Sequence, residues 1–389
     1  MLANMDHAPV VLDIAVALLL AAALGWAARR AGLPAVVGYL AAGLAISPFT
    51  PGYVADREQI QLLADIGVVL LLFEVGIEVD IGRLHQEHRG LLWAAPLQML
   101  VTATASTLLL LAIGSSPLGA TLMGLAVAMS SSVVIVNITR SRRRTTDRAT
   151  EQALLGWSVL QDLAGVTATA IVLAAFGVGG RSPVVAIGAL VAFALVAVAA
   201  GRVLPPLLVA LRPTPDLFLI VSVAVGLLLA SLGAVLFEVP MALAAFVAGL
   251  VLADTPETAE ARRRLLPFRD LFAVLFFVAV GSLIDPARLL GALPTMALLI
   301  GLVVVAKAGV AFALARLARI GARPLQLAVG LGQLGEFGYV LAGIGVTAAA
   351  LTEDQFTAIL GAIVATIAGS AVAVRAAGKA PAVSIEAGA

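Results

Sequence analysis

From Leu325 to Leu351 the chain carries a single charge, Glu336, in an otherwise apolar and glycine-rich run. A helix needs about 20 apolar residues to cross a bilayer, and lipid forces the backbone to satisfy its own hydrogen bonds. The pattern recurs along the chain. Apolar runs bounded by Gly, Pro and charge clusters lie near 10–28, 34–48, 59–79, 91–113, 118–139, 151–177, 183–211, 216–236, 239–253, 267–284, 292–315, 324–350 and 355–374. Thirteen such runs take up 281 of the 389 residues, and only 12% of the chain's residues are charged. A soluble domain carries roughly 25%. The expected fold is therefore all-α and polytopic, with about 13 transmembrane helices. The second and ninth runs are short for a full crossing, and the eighth and ninth meet at Glu238-Val-Pro240.

The basic residues test the count. With the N-terminus outside, twenty of the twenty-four Lys and Arg fall on cytoplasmic connections, the C-terminal end or, for Arg202 and Arg269, the cytoplasmic half of a run. Arg57, Arg181 and Arg288 fall outside, and Lys307 lies within a run. That imbalance is the one expected of an N-out, C-in protein, and a single miscounted span would scramble it. The Ala- and Arg-rich composition suggests a bacterial inner membrane. No basic stretch precedes the first run, so no cleaved signal peptide is expected. Residues 378–389 read as a short, disordered tail. The net charge of +1 marks no partner, and no nucleic acid is expected among them.

Several signals point away from soluble chemistry. Gly330-x-Gly332-x-x-Gly335 has the spacing of a dinucleotide fingerprint, with Glu353 and Asp354 downstream. No strand precedes it and it lies inside an apolar run, so it is not read as a nucleotide site, and no cofactor is expected. There is no cysteine to form a disulfide or a thiolate metal site. His7, His85 and His88 lie near span ends and read as solvated positions rather than metal ligands. No His-Glu-x-x-His, nucleophile elbow or intramembrane Asp dyad is present, so the chain is not expected to be an enzyme.

The informative residues are charges in the wrong solvent. Asp162 lies in the middle of the sixth run, after Gln161, and Lys307 lies inside the eleventh. Glu336 lies within the twelfth, and Glu74 and Glu78 lie towards the end of the third. Such groups are costly in lipid and face protein or a water-filled cavity. Two readings of Asp162 and Lys307 stand: an ion pair locking two helices, or a site where a cation and a proton compete for one carboxylate. Ser130, Ser131 and Ser132, with Asn137, interrupt the fifth run. They fit either back-bonding to the preceding turn or a broken helix that exposes backbone groups at the midplane. The twelfth run has glycines at 330, 332, 335, 338, 343 and 345, which permit close packing or a break. The fifth and twelfth runs are seven apart and so run in opposite directions. That spacing suggests inverted repeats, spans one to six and eight to thirteen, with the seventh as linker.

With these segments side by side, the chain resembles the membrane domain of Kef-type monovalent cation:proton antiporters, over about residues 10–375. "GYLAAGLAISP" (38–48) is similar to a segment of that family, with Ser47 where Gly is usual. "ADIGVVLLLFEVGIEVD" (64–80) resembles its third span, with Glu74 as a departure. "GWSVLQDLAGV" (156–166) matches the Gln-Asp ion-site segment. "LLPFRDLFAVLFFVAVGSLID" (265–285), with Ser282 where Met is usual, and "GLGQLGEFGYVLAGIG" (330–345) match two further signatures.

The resemblance implies a sodium/proton antiporter-like fold and a homodimer. The dimer scaffold would be spans 10–79 and 216–284, the moving core spans 91–177 and 292–374, and the linker helix 183–211. The fifth and twelfth spans would cross as unwound helices near Asp162. The implied ion and proton site is Asp162 and Gln161, with Ser130, Ser131 and Ser132 on the unwound part of the fifth span. Lys307 would be the ion-pair partner. Gln333 and Glu336 belong to the twelfth-span motif, with either a structural role or ion contact. The nucleotide-binding regulatory domain of many Kef-type proteins is not among these residues. The expected activity is electroneutral exchange of K+ or Na+ for H+ across the bilayer, and a gated cation channel or uniporter is the alternative.

Overall fold

The computed structural model describes residues 8–78, 89–139, 146–178, 183–211, 213–237, 239, 241–251, 256–335 and 337–379. Glu336 and the three histidines lie outside the described residues, as does the tail beyond Lys379. The described residues form helices and no strand. In chain order they are α1 (Ala8–Arg30), α2 (Ala35–Ala45), α3 (Arg57–Glu78), α4 (Arg89–Ala112), α5a (Pro117–Ala128), α5b (Ser132–Thr139), α6 (Arg148–Ala175) and α7 (Pro183–Leu211). Then follow α8 (Pro215–Phe237), α9 (Met241–Val251), α10 (Pro256–Ser282), α11 (Leu289–Leu317), α12a (Pro324–Leu331), α12b (Phe337–Thr347) and α13 (Glu353–Lys379).

Each of the thirteen apolar runs thus falls on one helix or, for the fifth and twelfth, on a pair of half-helices. Seven of the helices are long and apolar enough to cross a membrane: α1, α4, α6, α8, α10, α11 and α13. The eighth and ninth runs are separate helices, as counted. Two edges differ from the reading of the sequence. α10 begins at Pro256, well before its apolar run, because the basic stretch Arg262-Arg263-Arg264 is helical too. α13 continues to Lys379, so the first two residues assigned to the tail belong to a helix.

Local chemistry accounts for several helix starts. Ser116 Oγ accepts from Gly119 N at 3.1 Å, and Pro117 opens α5a where its missing N–H costs nothing. Asp147 Oδ1 accepts from Thr150 N at 2.7 Å at the head of α6. Thr352 and Gln355 form a reciprocal capping box before α13, with N–H to side-chain oxygen distances of 3.2 and 2.9 Å. Pro96, Pro267 and Pro294 sit inside helices without ending them, which transmembrane helices tolerate.

The chain divides into two compact units. The first comprises residues Met1–Ala27, Gly38–Arg83 and Val166–Ala287. Its helices pack by touching backbones. A Cβ on Gly43 would lie 1.9 Å from the Val278 carbonyl oxygen, and one on Gly281 would lie 2.1 Å from that of Leu40, so α2 and α10 meet through facing glycines. Gly76 and Gly249 form the same arrangement between α3 and α9, at 2.3 and 2.1 Å from the carbonyls of Phe246 and Phe73. Lipid removes the hydrophobic drive to associate, so close packing has to supply it. Gly43→Ala is therefore expected to push α2 off α10 and lower the melting temperature of the purified protein. Unchanged thermal unfolding by intrinsic fluorescence would contradict this contact.

The second unit comprises Ala28–Val37, Leu84–Gly165 and Arg288–Ala389. Its core gathers Leu91, Ile135, Leu154, Trp157, Leu327 and Leu331, all buried. Both broken helices, Asp162 and Lys307 belong to this unit.

Candidate functional site

The site begins with two helices that stop halfway. α5a ends at Ala128, and Met129 is extended, with φ −94° and ψ 141°. α5b starts only at Ser132. α12a ends at Leu331 and α12b starts at Phe337. A helix that stops in a protein interior leaves backbone groups to satisfy, and these two breaks largely satisfy each other. Gly335 N donates to Met129 O at 3.0 Å. Ser130 Oγ donates to Leu331 O at 2.9 Å, and Gln333 Nε2 donates to Ser131 O at 3.1 Å. Leu334 N is taken up by Thr366 Oγ1 of α13 at 3.0 Å. The two breaks are so close that a Cβ on Gly335 would sit 2.8 Å from the backbone carbonyl of Ser130.

Lys307 completes this crossover. It is fully buried, and its Nζ donates to Met129 O and to Gln333 O, each at 2.6 Å. Those carbonyls lie at the C-terminal ends of α5a and α12a, where the helix dipoles concentrate negative charge. One ammonium therefore holds both ends. Lys307 itself sits in a π-helical turn of α11, Val303–Gly309, a local widening common at functional positions.

Asp162 is nearly fully buried on α6. Ser132 Oγ donates to its Oδ2 at 2.5 Å. The carboxylate thus lies at the N-terminus of α5b, the positive end of that half-helix.

The three serines have separate tasks. Ser130 stitches the two breaks together. Ser131 Oγ accepts from Val134 N at 3.2 Å and caps α5b. Ser132 is the one of the three that hydrogen-bonds Asp162 through its hydroxyl. Gln333 serves the crossover through both its amide nitrogen and its backbone carbonyl, while its Oε1 has no hydrogen-bond partner among the described residues. Gln161 turns its Nε2 to Gln98 Oε1 of α4. The distances thus join Asp162 to Ser132, and Lys307 to the backbone of both breaks.

Sequence reasoning missed a second layer. Gln98 also accepts from Trp157 Nε1 at 3.1 Å and donates through Nε2 to Thr102 Oγ1 at 2.9 Å. Thr102 in turn donates to Ala306 O, one residue before Lys307, at 2.8 Å. Gln98, Thr102 and Ser106 are all buried at intervals of four along α4, a polar stripe on a membrane helix. That spacing is readable in the sequence and was the signal available.

The chain is also similar to known proteins in fold and in sequence. A likeness in fold is seen to the sodium proton antiporter MjNhaP1 from Methanocaldococcus jannaschii at pH 8. It has a TM-score of 0.76 and 18% identity, and covers 95% of this chain and 98% of that one. An electron-microscopy structure of the same antiporter gives a TM-score of 0.63 at 19% identity, covering 96% and 94% of the two chains. In sequence the chain is 33% identical over 375 residues to "Putative cation/proton antiporter YbaL" of Escherichia coli strain K12, over 92% of this chain and 67% of that protein. The profile of the family described as "Sodium/hydrogen exchanger, transmembrane" matches residues 15–377. With nearly its whole length matched, the chain belongs to the transmembrane sodium/hydrogen exchanger family.

Proposed function

We propose that this protein exchanges one monovalent cation, K+ or Na+, for one proton, and that Asp162 holds the two in turn. The observation that carries this reading is a buried carboxylate, Asp162, set against a broken helix, with the Lys307 ammonium engaged by backbone carbonyls. A carboxylate at such a place binds a proton or a cation but not both. Gln161 beside it is neutral, so one charge enters as one leaves, and exchange is electroneutral. Ser132 and Gln161 supply oxygen atoms that replace part of the cation's water shell. Ser130, Ser131, Lys307 and Gln333 keep the breaks open. Glu336 is proposed to act with Gln333 in the twelfth-span motif.

The same proposal places the protein in a bacterial inner membrane as a homodimer, with the N-terminus outside and the C-terminus in the cytoplasm. Its scaffold is spans 10–79 and 216–284, its core spans 91–177 and 292–374, and its linker 183–211. Neither a cofactor nor an enzymatic reaction has a part in it. The test is on purified protein in liposomes with a lumenal pH dye. Adding K+, Na+, Li+ or choline outside, with and without a valinomycin clamp, is expected to give a cation-dependent pH change indifferent to voltage. Cation current without proton movement would replace antiport with a channel.

A further inference from the structure

Gln161 is fully buried, and its two amide atoms have different fates. Its Nε2 donates to Gln98 Oε1, while its Oε1 has no hydrogen-bond partner among the described residues. Most buried acceptors in proteins are paired, so this one calls for a reason. A carboxamide has no intrinsic preference between its two ends, and its neighbours decide. Here the decision can be traced. The indole Nε1–H of Trp157 only donates, so the atom of Gln98 that meets it must be the oxygen. Gln98 Nε2 is thereby turned to Thr102 Oγ1, whose own proton goes to the carbonyl of Ala306. A carbonyl only accepts, so the chain of donors is fixed at both ends. Gln98 then presents an oxygen to Gln161. Gln161 answers with its nitrogen, and its oxygen is what remains.

We propose that Gln98, oriented by Trp157, is a positioning residue that holds Gln161 so that its carboxamide oxygen, not its nitrogen, is offered to the monovalent cation at Asp162. The proposal rests on the reading of Asp162 as the cation site. An oxygen dipole replaces a water ligand of a cation, whereas an amide nitrogen turned the same way repels it. Gln98 and Trp157 thus set the polarity of a neighbouring ligand without touching the ion.

The test is the half-saturating cation concentration and the maximal rate of exchange in liposomes. Gln98→Leu is expected to raise the half-saturating concentration about tenfold with the maximal rate within about twofold of wild type, and Gln161→Leu is expected to raise the half-saturating concentration by a similar factor. Combined, they are expected to be no worse than either alone, because both act through one oxygen. Trp157→Phe is expected to weaken affinity in the direction of Gln98→Leu, and it serves as the second variant should Gln98→Leu not elute as a monodisperse species. Independent, additive losses in the double variant would overturn the proposal. So would an unchanged half-saturating concentration in Gln98→Leu or in Gln161→Leu. Cation-coupled proton flux that survives in Asp162→Asn would instead overturn the reading of Asp162, a separate result.

Discussion

Asp162→Asn is expected to abolish cation-dependent proton flux in liposomes while leaving the protein folded. Asparagine keeps the shape of aspartate and an oxygen that can accept from Ser132 Oγ, so the bond that joins α5b to α6 survives. Two properties disappear. The cation loses a charge-assisted partner, worth on the order of 1.5–3 kcal/mol, or roughly tenfold to a hundredfold in affinity. More decisively, an amide has no proton to surrender when the cation arrives, so coupling is lost outright whatever affinity remains. The control is thermal unfolding of the same preparation, which should stay close to wild type, because a buried charge has been replaced by a neutral isostere. Retained proton-coupled exchange in Asp162→Asn would mean that another buried acid carries the cycle. Glu74, fully buried in the first compact unit, is the residue that would then be tested.

What the amino-acid order reveals here follows from the range of the interactions involved. The thirteen apolar runs, the interruption at Ser130–Ser132 and the glycines of the twelfth run are local signals, and each maps to a helix or a break in the structure. The position of Asp162 was legible because a carboxylate in an apolar run has few innocent explanations. The partners of Lys307 were not legible. They are carbonyl oxygens, which every residue possesses, and they lie 178 and 26 residues away along the chain. The π-helical turn around Lys307 was hidden for a related reason, since Val-Val-Val-Ala-Lys-Ala-Gly reads as ordinary helix. Gln98 and Trp157 each read as a lone polar or amphipathic residue in an apolar run. Only their juxtaposition across 59 residues shows that the indole fixes the direction of the amide.

Lys307→Met is expected to cost the protein both exchange and stability, and the second loss identifies what the lysine is for. In the crossover its ammonium serves Met129 O and Gln333 O. Met129 O would keep the N–H of Gly335, at 3.0 Å, but Gln333 O would lose its ammonium donor, and the negative ends of α5a and α12a would face each other uncompensated. A buried carbonyl stripped of its partner costs about 1–3 kcal/mol, and breaking a buried charged contact about 3–5. A drop of about 5–10 °C in melting temperature is expected on that scale. The decisive comparison is the double variant Asp162→Asn with Lys307→Met. If the lysine were there chiefly to neutralise the aspartate, removing both charges would leave neither unpaired and stability would return, as it often does when a buried ion pair is replaced whole. If the lysine is a strut between two broken helices, the double variant stays as unstable as Lys307→Met alone, because Gln333 O is still bare and the two helix ends still face each other uncompensated. The hydrogen bonds favour the strut. A melting temperature restored to the wild-type value in the double variant would refute it and return Lys307 to the role of ion-pair partner.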